Sequence, residues 1–294
     1  MKLADEINKE YADITEKEIL QAKENKNQIV LTLLDICRDA IHKIDKNPMR
    51  FLTIEEIDLE PKTYTYAREA FEKIEYSSQD ITELSLLLSF FDQDENNKSL
   101  GLAVSACVNA HAEKTIKEKI ERKKEDIQKN PESKNAKKRE IEEMEIEEMT
   151  NVNMTYYINQ KYIISTEFFP TKPFSLGYRN KNCQLTIQGN GGRNIGWRQE
   201  SGVIIVGGDV TESAGQFKTG GLLNIKGNAG HLLGYCMYGG SIRVEKNAGS
   251  SVGANMKGGN IYVNGKMESI TSDASIQGKI YSGGVLVHPK KERR

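Results

Sequence analysis

The chain has 294 residues, 37% of them hydrophobic, and a formal net charge of -1, enough for two domains of ordinary size with packed cores. No stretch approaches the roughly 20 apolar residues that cross a bilayer. The start, Met1-Lys2-Leu3-Ala4-Asp5-Glu6, has no apolar run behind a basic end, so a cytoplasmic protein is expected. Cys37, Cys107, Cys183 and Cys236 form no CxxC or Cys/His cluster, and His42, His111, His231 and His288 are equally scattered. Free thiols are therefore expected, with no metal and no other cofactor.

The near-neutral total conceals a division: from Ser175 onward there are 15 Lys+Arg against 7 Asp+Glu, leaving 26 against 35 before it. Opposed fields of this kind dock two halves on each other or steer partners of opposite sign, or they are ordinary solubility charge.

Residues 1–112 read as a helical domain. Thr15 with Glu18 is a candidate capping box, and Leu33, Cys37, Ala40, Ile41 and Ile44 fall on one helical face before Asn47-Pro48. A second apolar run starts at Asp80-Ile81-Thr82 and passes through Leu86, Leu87 and Phe90-Phe91. Ser99 to Ala112 is a small-residue segment with Leu102, Val104, Cys107 and Val108. Gly101 lies inside it, where helix propensity alone makes alanine tolerated or slightly stabilising.

Residues 113–149 carry dense alternating charge with Ile116, Ile120 and Ile127 at coiled-coil spacing and a break at Asn130-Pro131-Glu132-Ser133, which suggests a charged helical hairpin. The basic run from Lys134 to Arg139 is followed at once by Glu140-Ile141-Glu142-Glu143 and has no interleaved aromatic residues, so nucleic acid is not the expected partner. Residues 150–174, with Tyr156-Tyr157, Ile163-Ile164 and Phe168-Phe169, are expected to connect the helical part to the C-terminal part and to cap the latter.

The final part, residues 175–294, differs in kind. Of 25 glycines only Gly101 precedes Gly177, and no proline occurs from 174 to 288, which argues for continuous sheet over flexible linker. Gly202, Gly221, Gly240, Gly259 and Gly278 are 19 residues apart, with Cys183 in the same slot one unit earlier. A fixed period is the signature of a solenoid. Numbering columns from these residues, column three reads Leu185, Ile204, Leu223, Ile242, Ile261, Ile280 and column five Ile187, Val206, Ile225, Val244, Val263. Two apolar columns one residue apart are the inward face of a strand repeated once per coil.

Column fourteen is Gly177, Gly196, Gly215, Gly234, Gly253, and column seven is Gly189, Gly208, Gly227, then Lys246, then Gly265 and Gly284. Both are expected to be corners with positive φ. Asn190, Asp209, Asn228 and Asn247 in column eight suit a turn and a ladder of stacked amides. A 19-residue unit this rich in glycine has no room for a crossover helix, so the chain returns as more sheet. The fold class expected is α + β: a helical domain followed by a right-handed parallel β-helix of five to six coils, its last edge blunted by His288-Pro289-Lys290-Lys291.

The coils Gly227-Asn228-Ala229-Gly230-His231-Leu232-Leu233-Gly234-Tyr235-Cys236-Met237-Tyr238-Gly239-Gly240 and Asn247-Ala248-Gly249 to Gly253 with Met256-Lys257-Gly258-Gly259 repeat a GNAGxxxGxxMxGG pattern. Over about residues 175–287 this resembles the C-terminal domain of the glutamate synthase large subunit and the related C-type subunit of formylmethanofuran dehydrogenase. The resemblance implies a right-handed β-helix that positions catalytic domains or subunits and carries no catalytic residue itself. Neither an N-terminal cysteine nucleophile nor iron–sulfur ligand spacing accompanies it.

Ile204-Ile205-Val206-Gly207-Gly208-Asp209 resembles a strand entering a nucleotide-binding turn, but the period excludes the helix that must come next. Column eleven stacks Arg193, Glu212, His231, Ser250 and Ser269. Equivalent residues of adjacent coils lie about 4.8 Å apart, so Glu212, His231 and Ser250 are a candidate acid, base and nucleophile for an esterase-like hydrolase, facing in or out. Column fifteen, Tyr178, Trp197, Gln216, Tyr235, is an aromatic strip for the N-terminal helices or for a partner. The leading expectation is a non-catalytic scaffold or interaction protein with a protein partner, self-association remaining open. The alternatives are a structural subunit of an oxidoreductase or amidotransferase-type complex, and the hydrolase.

Overall fold

The computed structural model describes residues 28–43, 61–91, 100–129, 160–166, 169, 172–271 and 277–289. Thr15 and Glu18, residues 130–149, Tyr156-Tyr157, Phe168 and Lys290-Lys291 lie outside them. Four helices are described, α1 (Gln28–Lys43), α2 (Lys62–Phe71), α3 (Ser78–Phe91) and α4 (Leu100–Lys129). Eight strands come after them: β1 (Gln160–Ser165), β2 (Cys183–Gln188), β3 (Val203–Val206), β4 (Leu222–Ile225), β5 (Ser241–Val244), β6 (Asn260–Val263), β7 (Lys279–Ser282) and β8 (Val285–His288).

On α1 the apolar face closes as expected, with Leu33, Cys37 and Ala40 fully buried. α2 begins directly after Pro61, whose fixed φ and missing N–H suit a helix entry, and it buries Tyr64, Ala67 and Phe71. A reciprocal capping box starts α3: the Ser77 N–H donates to Asp80 Oδ2 at 2.7 Å and the Asp80 N–H to Ser77 Oγ at 3.2 Å. α4 runs unbroken through residues 112 and 113, so the division drawn there between helical domain and charged hairpin falls inside one helix. Ile116 and Ile120, on its charged half, are 4% and 6% exposed.

The strands form one sheet in the order β1 to β8, with β1 to β7 parallel. This is a parallel β-solenoid, and its register follows the 19-residue columns: Leu185 pairs with Ile204, Leu223 with Ile242 and Ile261 with Ile280. Every residue of columns three and five is 0% or 1% exposed. Stacking these side chains on themselves gives each coil two apolar neighbours, and isolated coils have none.

Three expectations change. Residues 160–165, assigned to a connecting cap, form a first strand: Tyr162 pairs with Leu185 and Ile164 with Ile187, and four additional residues in this coil conceal it from a 19-residue alignment. The last edge is closed by a hairpin, in which the chain reverses at Gly283-Gly284 and β8 returns antiparallel to β7. Column-seven glycines are not all corners of positive φ. Gly189 is, at +87°, but Gly208, Gly227 and Gly265 are not. A Cβ on these three would stand 2.1 to 2.4 Å from the side-chain oxygens of Asn190, Asp209 and Asn247. Glycine is required there by the column-eight ladder, whose side-chain oxygens accept backbone N–H groups of the next coil: Asp209 N–H to Asn190, Asn228 N–H to Asp209 and Asn247 N–H to Asn228.

Column fourteen is as expected, with φ between +67° and +76° in all five coils. Two further columns hold non-glycine residues at positive φ, Ser175, Asn194, Ser213, Leu232, Ser251 and Arg179, Arg198, Phe217, Cys236, Asn255. That conformation costs about 1–2 kcal/mol per residue. Backbone bonds to the adjacent coil offset it, for example Asn194 N–H to Glu212 O at 2.9 Å and Phe217 N–H to Tyr235 O at 3.0 Å.

The helices seat on the β1 end of the solenoid. α3 packs against β1, and the small-residue face of α4 meets the first corner. There Ser105 Oγ accepts the N–H groups of Gly177 and Tyr178, and Asn109 Nδ2 donates to the Tyr178 carbonyl and to the Tyr64 hydroxyl. Gly101 permits this approach: a Cβ on it would lie 1.7 Å from the Phe174 carbonyl oxygen. Alanine at 101 is thus excluded by a contact that helix propensity does not register.

Candidate functional site

Column eleven faces solvent, with Arg193 and His231 exposed and Glu212 and Ser250 half-buried. His231 Nδ1 and Ser250 Oγ are 2.7 Å apart, and the Ser250 N–H also points to that nitrogen at 3.3 Å. With two groups of Ser250 directed at it, Nδ1 is the accepting nitrogen. Glu212 is not the third member. Its Oε2 lies 2.5 Å from Arg193 Nη2, toward the preceding coil, and the Arg193 guanidinium rests 6.0 Å from the Phe174 ring centroid. The column therefore resolves into two pairs, Arg193 with Glu212 and His231 with Ser250. Among the described residues no acid orients the imidazole, and neither of the two described grooves includes these residues. Ser269 Oγ is occupied as an acceptor of the Ser251 N–H.

The aromatic column divides in the same way. Tyr178 packs edge-on against Tyr64 of α2 at 4.7 Å and against Trp197 at 4.9 Å. These two rings thus belong to the junction between helices and solenoid. Tyr235 lies beyond it, 5.9 Å from Phe217.

Burial pushes the thiols of Cys37 and Cys183 up to about 12 and that of Cys107 well above its ordinary value, which leaves them protonated and inert. His111 Nδ1 and the Tyr162 hydroxyl are hydrogen-bonded at 2.7 Å, the ring lies beside that of Tyr76, and burial lowers the histidine pKa. It borders a groove of about 360 Å³ between α4 and the segment after α2, but its bond joins helix to first strand, a structural role. Among the described residues no group of three or more His, Cys, Asp or Glu is arranged to hold a metal ion, and no helix is long and apolar enough to cross a membrane.

One buried polar feature is not visible in the sequence columns considered above. Asn180, Gln199, Lys218, Met237 and Met256 form column seventeen, which points into the solenoid, and all five are 0% or 1% exposed. Lys218 Nζ donates to Gln199 Oε1 at 2.9 Å and to the Gly220 carbonyl. Gln199 Nε2 in turn faces the carbonyls of Ser201, Gly202 and Leu222. Burial holds the Lys218 amine well below its ordinary pKa, so the neutral form is favoured. The residue types are plain in the sequence, but two of five members are methionine and the column reads as neither apolar nor polar.

The structure defines a parallel β-solenoid with a helical cap on its first coil. No protein-family model, curated protein or solved structure matches the chain.

Proposed function

We propose that the chain is a non-catalytic scaffold, an assembly element of a larger complex in which the rigid solenoid holds the helical cap and a protein partner in fixed relation. The observation that supports this most directly is the filling of the solenoid: its inward columns are stacked side chains without exposure, while among the described residues the His231–Ser250 pair has no acid beside it, Glu212 being paired with Arg193. Rigidity and a repeating outer surface are what such an interior provides. The resemblance to the glutamate synthase and formylmethanofuran dehydrogenase domains agrees with a positioning role and extends the reading to a structural subunit of an oxidoreductase or amidotransferase-type complex. Fold analogy by itself does not establish function. Affinity purification of the native protein from its own cells is expected to recover a stable partner. Recovery as a lone monomer removes this reading.

A second reading rests on the 2.7 Å contact between His231 and Ser250. It requires turnover of short-chain esters that disappears in both Ser250→Ala and His231→Ala with the fold intact. Absence of turnover in the parent eliminates it.

A further inference from the structure

The sheet has an outward face as regular as its inward one. Alternate residues of each strand, and the residue after each strand, place side chains in columns between the buried ones. Across this face four side chains are cationic, Lys161, Lys226, Arg243 and Lys279, and one is acidic, Glu245. Glu245 is already matched, with Oε1 3.4 Å from Lys226 Nζ.

Arg243 differs from the other cations of this face in being held against an aromatic ring. Its guanidinium carbon is 5.8 Å from the Tyr262 ring centroid, and Tyr262 stacks on Tyr281 at 4.8 Å with 12° between the planes. Two tyrosines at the same column position in consecutive coils thus form a platform that fixes the guanidinium along the solenoid axis. Among the described residues Arg243 has no carboxylate partner. An open groove of about 540 Å³ runs beside it, lined by Asn224, Glu245, Tyr262 and Asn264. The Asn224 and Asn264 amides and the Tyr262 hydroxyl make no side-chain hydrogen bond to the described protein. A fixed fork of N–H donors, two amides and a phenol on one face ask for a ligand rich in anionic acceptors.

The shape narrows the class. A groove this open does not enclose a small molecule, whose sites usually bury most of the ligand. Bases of a single-stranded nucleic acid need exposed ring faces, and here the facing surfaces of Tyr262 and Tyr281 cover each other while Arg243 covers the next. A chain of carboxylates laid across the sheet meets each requirement. We propose that this face docks an acidic, extended segment of a partner protein, with Arg243 on its tyrosine platform as the carboxylate-binding centre. This rests on the scaffold reading and names the chemistry of the partner.

The test is a titration of the full-length protein into a fluorescein-labelled deca-glutamate peptide at low ionic strength, read by anisotropy. It is run beside Arg243→Gln and beside Lys257→Gln, an equal charge change at an exposed residue off this face. Arg243→Gln is expected to weaken binding by about fivefold or more and Lys257→Gln by less than about twofold, with unchanged melting of both. Equal losses in the two variants reduce the effect to non-specific attraction and overturn the site. So does failure of the parent to bind the peptide, or displacement of the peptide by citrate at the same carboxylate concentration, which marks a small-anion site. If the parent recovers a cellular partner that Arg243→Gln retains, the docking face is wrong and the scaffold reading stands. If the peptide binds selectively but no cellular partner is recovered, the scaffold reading falls and the site's chemistry remains.

Discussion

Replacing Gly101 with alanine adds a single methyl group to the interior of a helix, where propensity favours alanine by about 0.8–1.0 kcal/mol. The new Cβ would stand 1.7 Å from the Phe174 carbonyl oxygen, 2.8 Å from its carbon and 2.9 Å from the Leu176 nitrogen. All three are backbone atoms, so no side chain can turn away. α4 has to withdraw from the first corner by on the order of 1 Å or more, and hydrogen bonds at this junction lengthen beyond useful range. Those at stake are the Gly177 and Tyr178 N–H groups on Ser105 Oγ and the Asn109 amide on the Tyr178 carbonyl. A buried polar group left unmatched costs about 1–3 kcal/mol; the Tyr178 N–H keeps the Ser175 carbonyl at 3.1 Å, so the Gly177 N–H and the Tyr178 carbonyl are the two left without partners, and after the propensity gain the net loss is about 1–5 kcal/mol. Thermal unfolding followed by circular dichroism is expected to show a Tm lower by roughly 2–20 °C, with earlier protease cleavage near Phe174. A Tm equal to the parent's, or raised by the propensity increment, refutes the docking of α4 on the solenoid.

Lys218→Met installs the residue found at the same place in the next two coils but leaves Gln199 Oε1 and the Gly220 carbonyl without their donor, and it is expected to destabilise the protein by about 1–3 kcal/mol for each acceptor left unmatched. Because the folded pKa is depressed, the unfolded chain holds more protons between that value and the ordinary lysine pKa of about 10.4. Parent stability therefore rises with pH through this window, and urea titrations at several pH values should show the variant without that rise; parallel curves would contradict it. Gly234→Val, at φ +68° with a Cβ 2.6 Å from Ile261 Cδ1, combines about 1–2 kcal/mol of backbone strain with about 1–3 of overpacking, and proteolysis of the solenoid at native temperature would reveal it. Val252→Ala in the adjoining column is expected to lose about 1–3 kcal/mol by cavity formation with the cleavage pattern unchanged.

The sequence was sufficient for the solenoid because a fixed period makes sequence neighbours at 19 residues into spatial neighbours. Ile204 had to meet Leu223, and Asn228 had to meet Asp209, once the period was known. Where periodicity lapsed, legibility did too: the 23-residue step from Gln160 to Cys183 hid β1. The reach of a side chain is not in the period either. Columns indicated that Glu212, His231 and Ser250 stack, but not that Glu212 turns back to Arg193 while His231 takes Ser250. Likewise glycine at 208 and 227 was visible, whereas its cause, the side-chain oxygen of the coil beneath, appears only once the ladder is assembled. The seating of α4 lies furthest from the sequence. Gly101 and Phe174 are joined by no repeat and no local rule, and only the packed helix and corner make the one a condition of the other, because backbone atoms in contact leave no space for a methyl group.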